Sequence, residues 1–415
     1  MARSGRFAPM ARTTGSRRSI SASISTAAKR ADRAWQAGCL PPVVSYRESR
    51  MIDLRTDAAS LPPPGMRRAM ACAAMGDDAV GEDPSVNALQ AHMAALLGME
   101  AALFLPTTTM ANLAAVCVHG RPGDTVITDT LCHLHVADDG AQRFAGVRFH
   151  ALPGDAGRLA AADVARAIQA ARAQGERPCL IALEHPHNRG GGALYALDAL
   201  RDVIAAAHRH DVPVHLDGAR LLNAAIATNR PVHEIVEGVD TVAVCFSKGL
   251  ACPAGAILAG NTDVIDAARS VRHALGGGMA QAGVLAAAAR WALRDPFGPL
   301  VEDHRRAARL RAALRHVDGL EVIEIPPSIN LVFATLTREG LRAEDVVKAM
   351  KHHDIRIAAF GPQRVRMALY RGVTDADIDQ VAAALADVMA VSAVTHERPQ
   401  AVRRTKVQGG PLEAT

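Results

Sequence analysis

From about residue 86 onward, short apolar runs alternate with amphipathic helical stretches, and that rhythm leaves few folds open. Val86, Leu89, Met93, Leu96 and Leu97 recur at helical spacing, and Gly98 closes that helix. An apolar run at 101–105 leads through Pro106 into three threonines, and a helix from Met110 to about His119 follows. Further runs at 125–128, 147–152, 179–183, 212–216 and 241–246 have the length and β-branched content of buried strands. Amphipathic helices at 161–173 and 197–210 separate several of them. Strands apolar on both sides need cover on both faces, and helical crossovers set successive strands parallel. The expected fold class is therefore α/β, with a mostly parallel sheet in a large domain over residues 51–295. After Asp295 the pattern changes. A charged helix at 299–316 precedes strands near 320–325 and 329–335, which predicts a smaller α+β C-terminal domain over residues 296–392.

Each predicted strand ends on a polar residue, and open α/β sheets bind ligands beyond the carboxyl ends of their strands. The run at 241–246 stops at Ser247-Lys248-Gly249. Desolvating an ammonium is costly, so such a lysine either reaches solvent or is held for chemistry that uses its amine. The run at 212–216 stops at Asp217. A carboxylate beside that lysine reads as a buried ion pair, or as what pyridoxal phosphate requires. In the second case the acid keeps the pyridine nitrogen protonated and the lysine holds the aldehyde as an imine. Thr107, Thr108 and Thr109 stand at a strand-to-helix junction. They are a simple N-cap, or they offer hydroxyls and amide N–H groups to an anion.

Composition narrows the partners. Charged residues make up 21% and no apolar stretch approaches a membrane span without polar interruption, so no membrane association is expected. Much of the formal charge of +5 lies near the termini, and 3% aromatics offer few stacking platforms, so nucleic acid is not an expected partner. The seven cysteines are scattered without a Cys-x-x-Cys and read as mostly buried free thiols of a reducing, cytoplasmic compartment. Cys132, His133, His135, His185 and His187 match no closed zinc set, and no metal is expected. Residues 1–50 are rich in Arg, Ser and Ala without an apolar face; they and residues 393–415 are expected to be disordered extensions.

Several stretches then fall into one pattern. They are Ile52-Asp-Leu-Arg-Thr-Asp57, Gly81-Glu-Asp-Pro-Ser-Val-Asn87, Thr109-Met-Ala-Asn112, His187-Asn188, His215-Leu-Asp-Gly-Ala-Arg-Leu221, Ser247-Lys-Gly-Leu250 and Leu275-Gly-Gly-Gly-Met279. In this order, over about residues 50–390, the chain resembles the low-specificity threonine aldolases. These belong to the aromatic β-eliminating lyase and threonine aldolase group of fold-type-I pyridoxal-phosphate enzymes. The resemblance implies pyridoxal 5′-phosphate as cofactor, with Lys248 as its Schiff-base lysine and Asp217 on the pyridine nitrogen. It puts the phosphate at Thr107, Thr108 and Thr109. Arg220 and Arg366, helped by Thr56, would bind the substrate carboxylate, with Arg220 also lining the cofactor site. His133 would stack on the cofactor ring and His187 would lie near the substrate hydroxyl, either one serving as base. The implied reaction is retro-aldol cleavage of a small β-hydroxy-α-amino acid to glycine and an aldehyde. A homodimer or homotetramer with the site at the subunit interface is implied too. A β-eliminating lyase and a non-catalytic paralogue on the same scaffold are the alternatives.

Some positions depart from that pattern. Thr108 stands where the family usually has glycine, and is strained if the backbone there needs positive φ. Ala280 replaces an arginine after the Gly-Gly-Gly-Met run and His273 a lysine before it; Arg272 or His273 are the candidate replacements. Val80, Glu184-His-Pro-His-Asn188 and Ala368-Leu-Tyr370 also differ. The expectation is a cofactor held more weakly at its phosphate.

Overall fold

The computed structural model describes residues 51–396, and the expectations for residues 1–50 and 397–415 lie outside them. The chain opens with β1 (Ile52–Asp53) and then lays down β2 (Ala101–Leu105), β3 (Thr125–Asp129), β4 (Arg148–Leu152), β5 (Pro178–Glu184), β6 (Val214–Asp217), β7 (Thr241–Cys245) and β8 (Ala256–Gly260). Strands β2 to β8 form one seven-stranded sheet in the order β2-β8-β7-β6-β5-β3-β4. β8 pairs antiparallel with both β2 and β7, and the other pairings are parallel. All strands of this sheet except β8 therefore run the same way, and their carboxyl ends open on one edge. β5 and β7 are buried along their whole length, as a doubly covered sheet requires.

Local signals explain the helices around it. Helix Pro84–Leu97 starts where the Asp83 side chain accepts the Ser85 and Val86 N–H groups, and ends at Gly98 in the left-handed region (φ +66). Its Leu89, Met93 and Leu97 are buried, one stripe facing the core.

The rest of the chain builds β9 (Leu320–Val322), β10 (Leu331–Leu336), β11 (Ile355–Arg356), β12 (Ala358–Ala359) and β13 (Arg364–Ala368). Four of these form an antiparallel sheet, β12-β13-β10-β9, while β11 pairs with β1. Ala368 N–H also donates to Leu54 O at 2.9 Å, so the first described segment contributes its backbone to the C-terminal region. Two large apolar cores result, with two smaller clusters beside the first sheet. Phe104, Ile127, Leu183, Leu216 and Phe246 lie in one, and Leu310, Val332, Met350, Met367 and Leu385 in the other. Helix Gly298–Leu314 serves both, through Leu300 on one side and Leu310 and Leu314 on the other. The last helix, Asp375–His396, continues past residue 393, where a disordered tail was expected to begin. Cys132, Cys179, Cys245 and Cys252 are buried free thiols, but Cys72 is exposed. Among the described residues no helix is long and apolar enough to cross a membrane.

Candidate active site at the strand ends

β6 and β7 are neighbours in register, Asp217 opposite Ala243, which brings the strand end of Asp217 beside the segment carrying Lys248. Asp217 is buried and accepts two hydrogen bonds, from Asn112 Nδ2 at 2.9 Å and from Ala219 N–H at 3.0 Å. Behind Asn112 lies His215, whose Nε2 is 3.1 Å from Asn112 Oδ1 and whose Nδ1 is 2.9 Å from Thr241 Oγ1. Burial pushes His215 down to about 4, so its imidazole is neutral. A carboxamide oxygen only accepts, so the His215 proton sits on Nε2 and turns the Asn112 amide group toward Asp217. Lys248 is half-buried, and its carbonyl accepts from Ser60 Oγ at 2.8 Å. The buried guanidinium–carboxylate pairs among the described residues are Arg220–Asp57 and Arg272–Asp78. Lys248 and Asp217 do not form an ion pair with each other.

The three threonines do three different things. Thr107 caps helix Thr108–His119, accepting the Met110 N–H at 3.1 Å. Thr109 donates to Asp138 Oδ1 at 3.1 Å. Thr108 Oγ1 is buried without a hydrogen-bond partner, at the N-terminus of a twelve-residue helix. The strain expected at Thr108 is absent, because it takes the first helical position and not a left-handed one. Arg272, expected as a stand-in for the missing phosphate ligand, is committed elsewhere. Its Nη1 donates to Asp78 Oδ2 at 2.7 Å and to Phe104 O at 2.9 Å in the interior.

His133 follows β3. Its N–H donates to Glu184 Oε2 at 2.7 Å, and its Nδ1 lies 3.2 Å from Asp138 Oδ2. The ring is partly exposed, and the Asp138 carboxylate raises its pKa, partly opposed by burial. His187 differs. It is 0% exposed, accepts the Gly190 N–H at Nδ1 (2.9 Å), and points Nε2 at Asp129 Oδ1, 3.2 Å away. Burial favours its neutral form while Asp129 and Glu184 favour the cation; the Gly190 amide requires an unprotonated Nδ1. A side chain at Gly157 (φ +87) or Gly190 would collide with the His187 ring or with Ala156 O. The loops around 157 and 190 thus enclose His187, which was expected near the substrate hydroxyl, in the interior between strand ends.

The carboxylate end gathers from distant segments. Arg220 pairs with Asp57 through Nε (2.7 Å) and Nη2 (2.8 Å), and reaches Asn188 Oδ1 through Nη1 at 3.4 Å. Although burial opposes ionisation of Asp57, Arg220 holds its carboxyl well below the usual range. Arg366, on β13, donates to the same Asn188 Oδ1 at 2.8 Å and to Arg55 O at 2.6 Å. Burial, and then Arg220, bring Arg366 down to about 10, and its Nε is buried without a partner. Thr56 Oγ1 accepts the Ala58 N–H at 3.2 Å and caps the turn that presents Asp57. Two guanidiniums thus converge on one neutral oxygen.

These residues fit pyridoxal phosphate. Lys248 provides the amine, Asp217 an acid held by two N–H donors, and Thr108 an orphaned hydroxyl at a helix N-terminus. A family model described as beta-eliminating lyase matches residues 53–338. The chain belongs to the beta-eliminating lyase family. Low-specificity L-threonine aldolase 1 of Arabidopsis thaliana is 36% identical over 336 residues, 79% of this chain and 94% of that protein. The low specificity L-threonine aldolase of Escherichia coli (strain K12) is 36% identical over 80% of this chain and 98% of its own. A solved Leishmania major threonine aldolase has a TM-score of 0.70 at 21% identity, covering 81% of this chain and 99% of that one, which shows the shared fold.

In this beta-eliminating lyase family member, the residues that orient the site are ones the sequence reading left without a role: Asp57, Asn112, Asp138, Glu184 and Asn188. Four of them lie inside motif stretches already singled out. Asp138 lies in none, and only the fold brings it to His133 and Thr109.

Proposed function

We propose that this protein cleaves a β-hydroxy-α-amino acid to glycine and an aldehyde, with pyridoxal phosphate held by Lys248, Asp217 and the Thr107–Thr109 turn. The observation that carries the reading is the convergence of Arg220 and Arg366 on Asn188 Oδ1, a place made for one carboxylate. The relatives named threonine aldolase support it. When bound, pyridoxal phosphate supplies an electron sink conjugated to the substrate amino group. Asp217, oriented by Asn112 and the Ala219 amide, is the acid that faces the pyridine nitrogen. Arg220 and Arg366 fix the α-carboxylate, and this sets which Cα bond stands ready to break. His133, tied at Nδ1 by Asp138, has Nε2 left to take the β-hydroxyl proton as the Cα–Cβ bond breaks. His187 holds the loop of Asn188 in place and exchanges no proton with substrate.

The same reading makes the protein a cytoplasmic homodimer or homotetramer with its site at a subunit interface. Exposed Leu131 and Val136, which flank His133, support burial of this edge against a second copy. The test is a screen of β-hydroxy amino acids scored for glycine, with borohydride trapping and peptide mapping of the cofactor. Equimolar glycine and aldehyde, with the label on Lys248, are expected. Keto acid plus ammonia would establish β-elimination instead, and no turnover with any substrate would leave a binding protein.

A further inference from the structure

Arg189 adds a positive charge that cleavage of threonine does not need. It follows Asn188 directly, and its Cζ lies 5.4 Å from the centre of the Phe360 ring. The same ring carries Arg366, whose Cζ is 4.1 Å from it. Arg220 has Asp57, but among the described residues no carboxylate pairs with Arg189. Glu184, nearby in sequence, is committed to the His133 and Asn188 amides. Of these three guanidiniums, Arg220 faces Asp57 and also feels the buried Glu184, whereas neither Arg189 nor Arg366 has an ion pair among the described residues. A substrate α-carboxylate neutralises one of these charges. One guanidinium remains, next to the carboxylate clamp, on the ring that also carries Arg366.

We propose that Arg189 determines specificity by receiving an anionic group borne on the substrate Cβ, so that the preferred substrates are β-hydroxy-α-amino dicarboxylates such as 3-hydroxyaspartate. This rests on the aldolase reading above. In the reaction the Cα–Cβ bond breaks, the β-hydroxyl loses its proton, and Cα gains one. The products are glycine and glyoxylate, and no oxidant or reductant is required. A guanidinium aimed at a substrate carboxylate discriminates by a charge-assisted hydrogen bond, and an uncharged β-methyl cannot replace it.

The test compares kcat/KM for 3-hydroxyaspartate and for threonine in wild type, Arg189→Gln and Arg189→Lys, scored by glycine. Wild type should favour the dicarboxylate by about tenfold or more. Arg189→Gln should lower the ratio of the two by about tenfold, and Arg189→Lys should keep part of it. A wild type that favours threonine, or a ratio that Arg189→Gln leaves unchanged, overturns the proposal. A second measurement needs no turnover: titration of the cofactor absorbance with L-aspartate and L-alanine. Arg189→Gln should weaken aspartate relative to alanine by about tenfold. Equal weakening of the two overturns the proposal. If neither hydroxy acid yields glycine, the aldolase reading fails, while the aspartate-to-alanine ratio still decides the role of Arg189.

Discussion

His133 and His187 differ in what their Nδ1 atoms meet, and on the reading proposed above His133 is the one that exchanges a proton. His187 Nδ1 receives an amide proton in a sealed space, whereas His133 Nδ1 faces the Asp138 carboxylate and its ring remains open. Asp138 stabilises the imidazolium, so it raises the pKa of His133. A base must be neutral to act, so activity should fall as pH drops through that raised value. Asp138→Asn keeps the shape and the acceptor for Thr109 but removes the charge. The acid limb of the kcat/KM profile should then move about one pH unit lower. A limb that stays in place would remove His133 from the role of base. Nothing in the local sequence around Asp138 announces this. Lys248 and Asp217 were legible because a charged residue ending an apolar run is costly unless used. In the sequence Asp138 stands in a polar run where an acid draws no notice, and only the fold buries it beside His133 and Thr109 and gives it a task.

At the scale of the element, the strand ends were readable and the strand order was not. The alternation of apolar runs gave the parallel strands within a few residues, since buried strands need continuous apolar side chains. β8 escaped that reading. Its Ala-Ile-Leu-Ala-Gly stretch lies close behind β7, and no helix between them marks the crossover. Yet this reversed strand spaces β2 from β7, and so sets where the N-terminus of helix Thr108–His119 stands relative to Lys248. That N-terminus carries its own prediction. Thr108 Oγ1 has no partner within the protein, so replacing it by a methyl removes nothing the fold uses. Thr108→Val should leave the melting temperature within about 2 °C and weaken pyridoxal phosphate by about tenfold. Cofactor dissociation on dilution reads this out. Unchanged affinity would show that the hydroxyl is no phosphate ligand, and that Thr108 contributes through its backbone alone.

Across the whole molecule, helix Gly298–Leu314 joins the two larger apolar cores, and Asp303 lies on it at 0% exposure with neither oxygen hydrogen-bonded and only a distant ion pair, to Arg306 Nη1 at 3.9 Å. Burial pushes its carboxyl up to about 7, with Arg306 opposing and Asp57 adding to the shift. In the unfolded chain the same carboxyl ionises near 3.8. Between these values the folded protein keeps a proton that the unfolded chain has released, so this group costs stability as pH rises toward 7 and above. Asp303→Asn cannot ionise, and should be more stable than wild type by roughly 2–4 kcal/mol at pH 8. Urea denaturation at pH 8 and near pH 4 measures the difference, which should shrink toward zero in acid. A gain of equal size at both would place its cause in packing.

The two cores also meet at Asn188, which Arg220 approaches from the first sheet and Arg366 from the second. On the reading proposed above, an α-carboxylate bound there would bridge the two sheets. Glycine carries that carboxylate as fully as the substrate does. The grip that orders the start of the reaction is therefore indifferent to its completion.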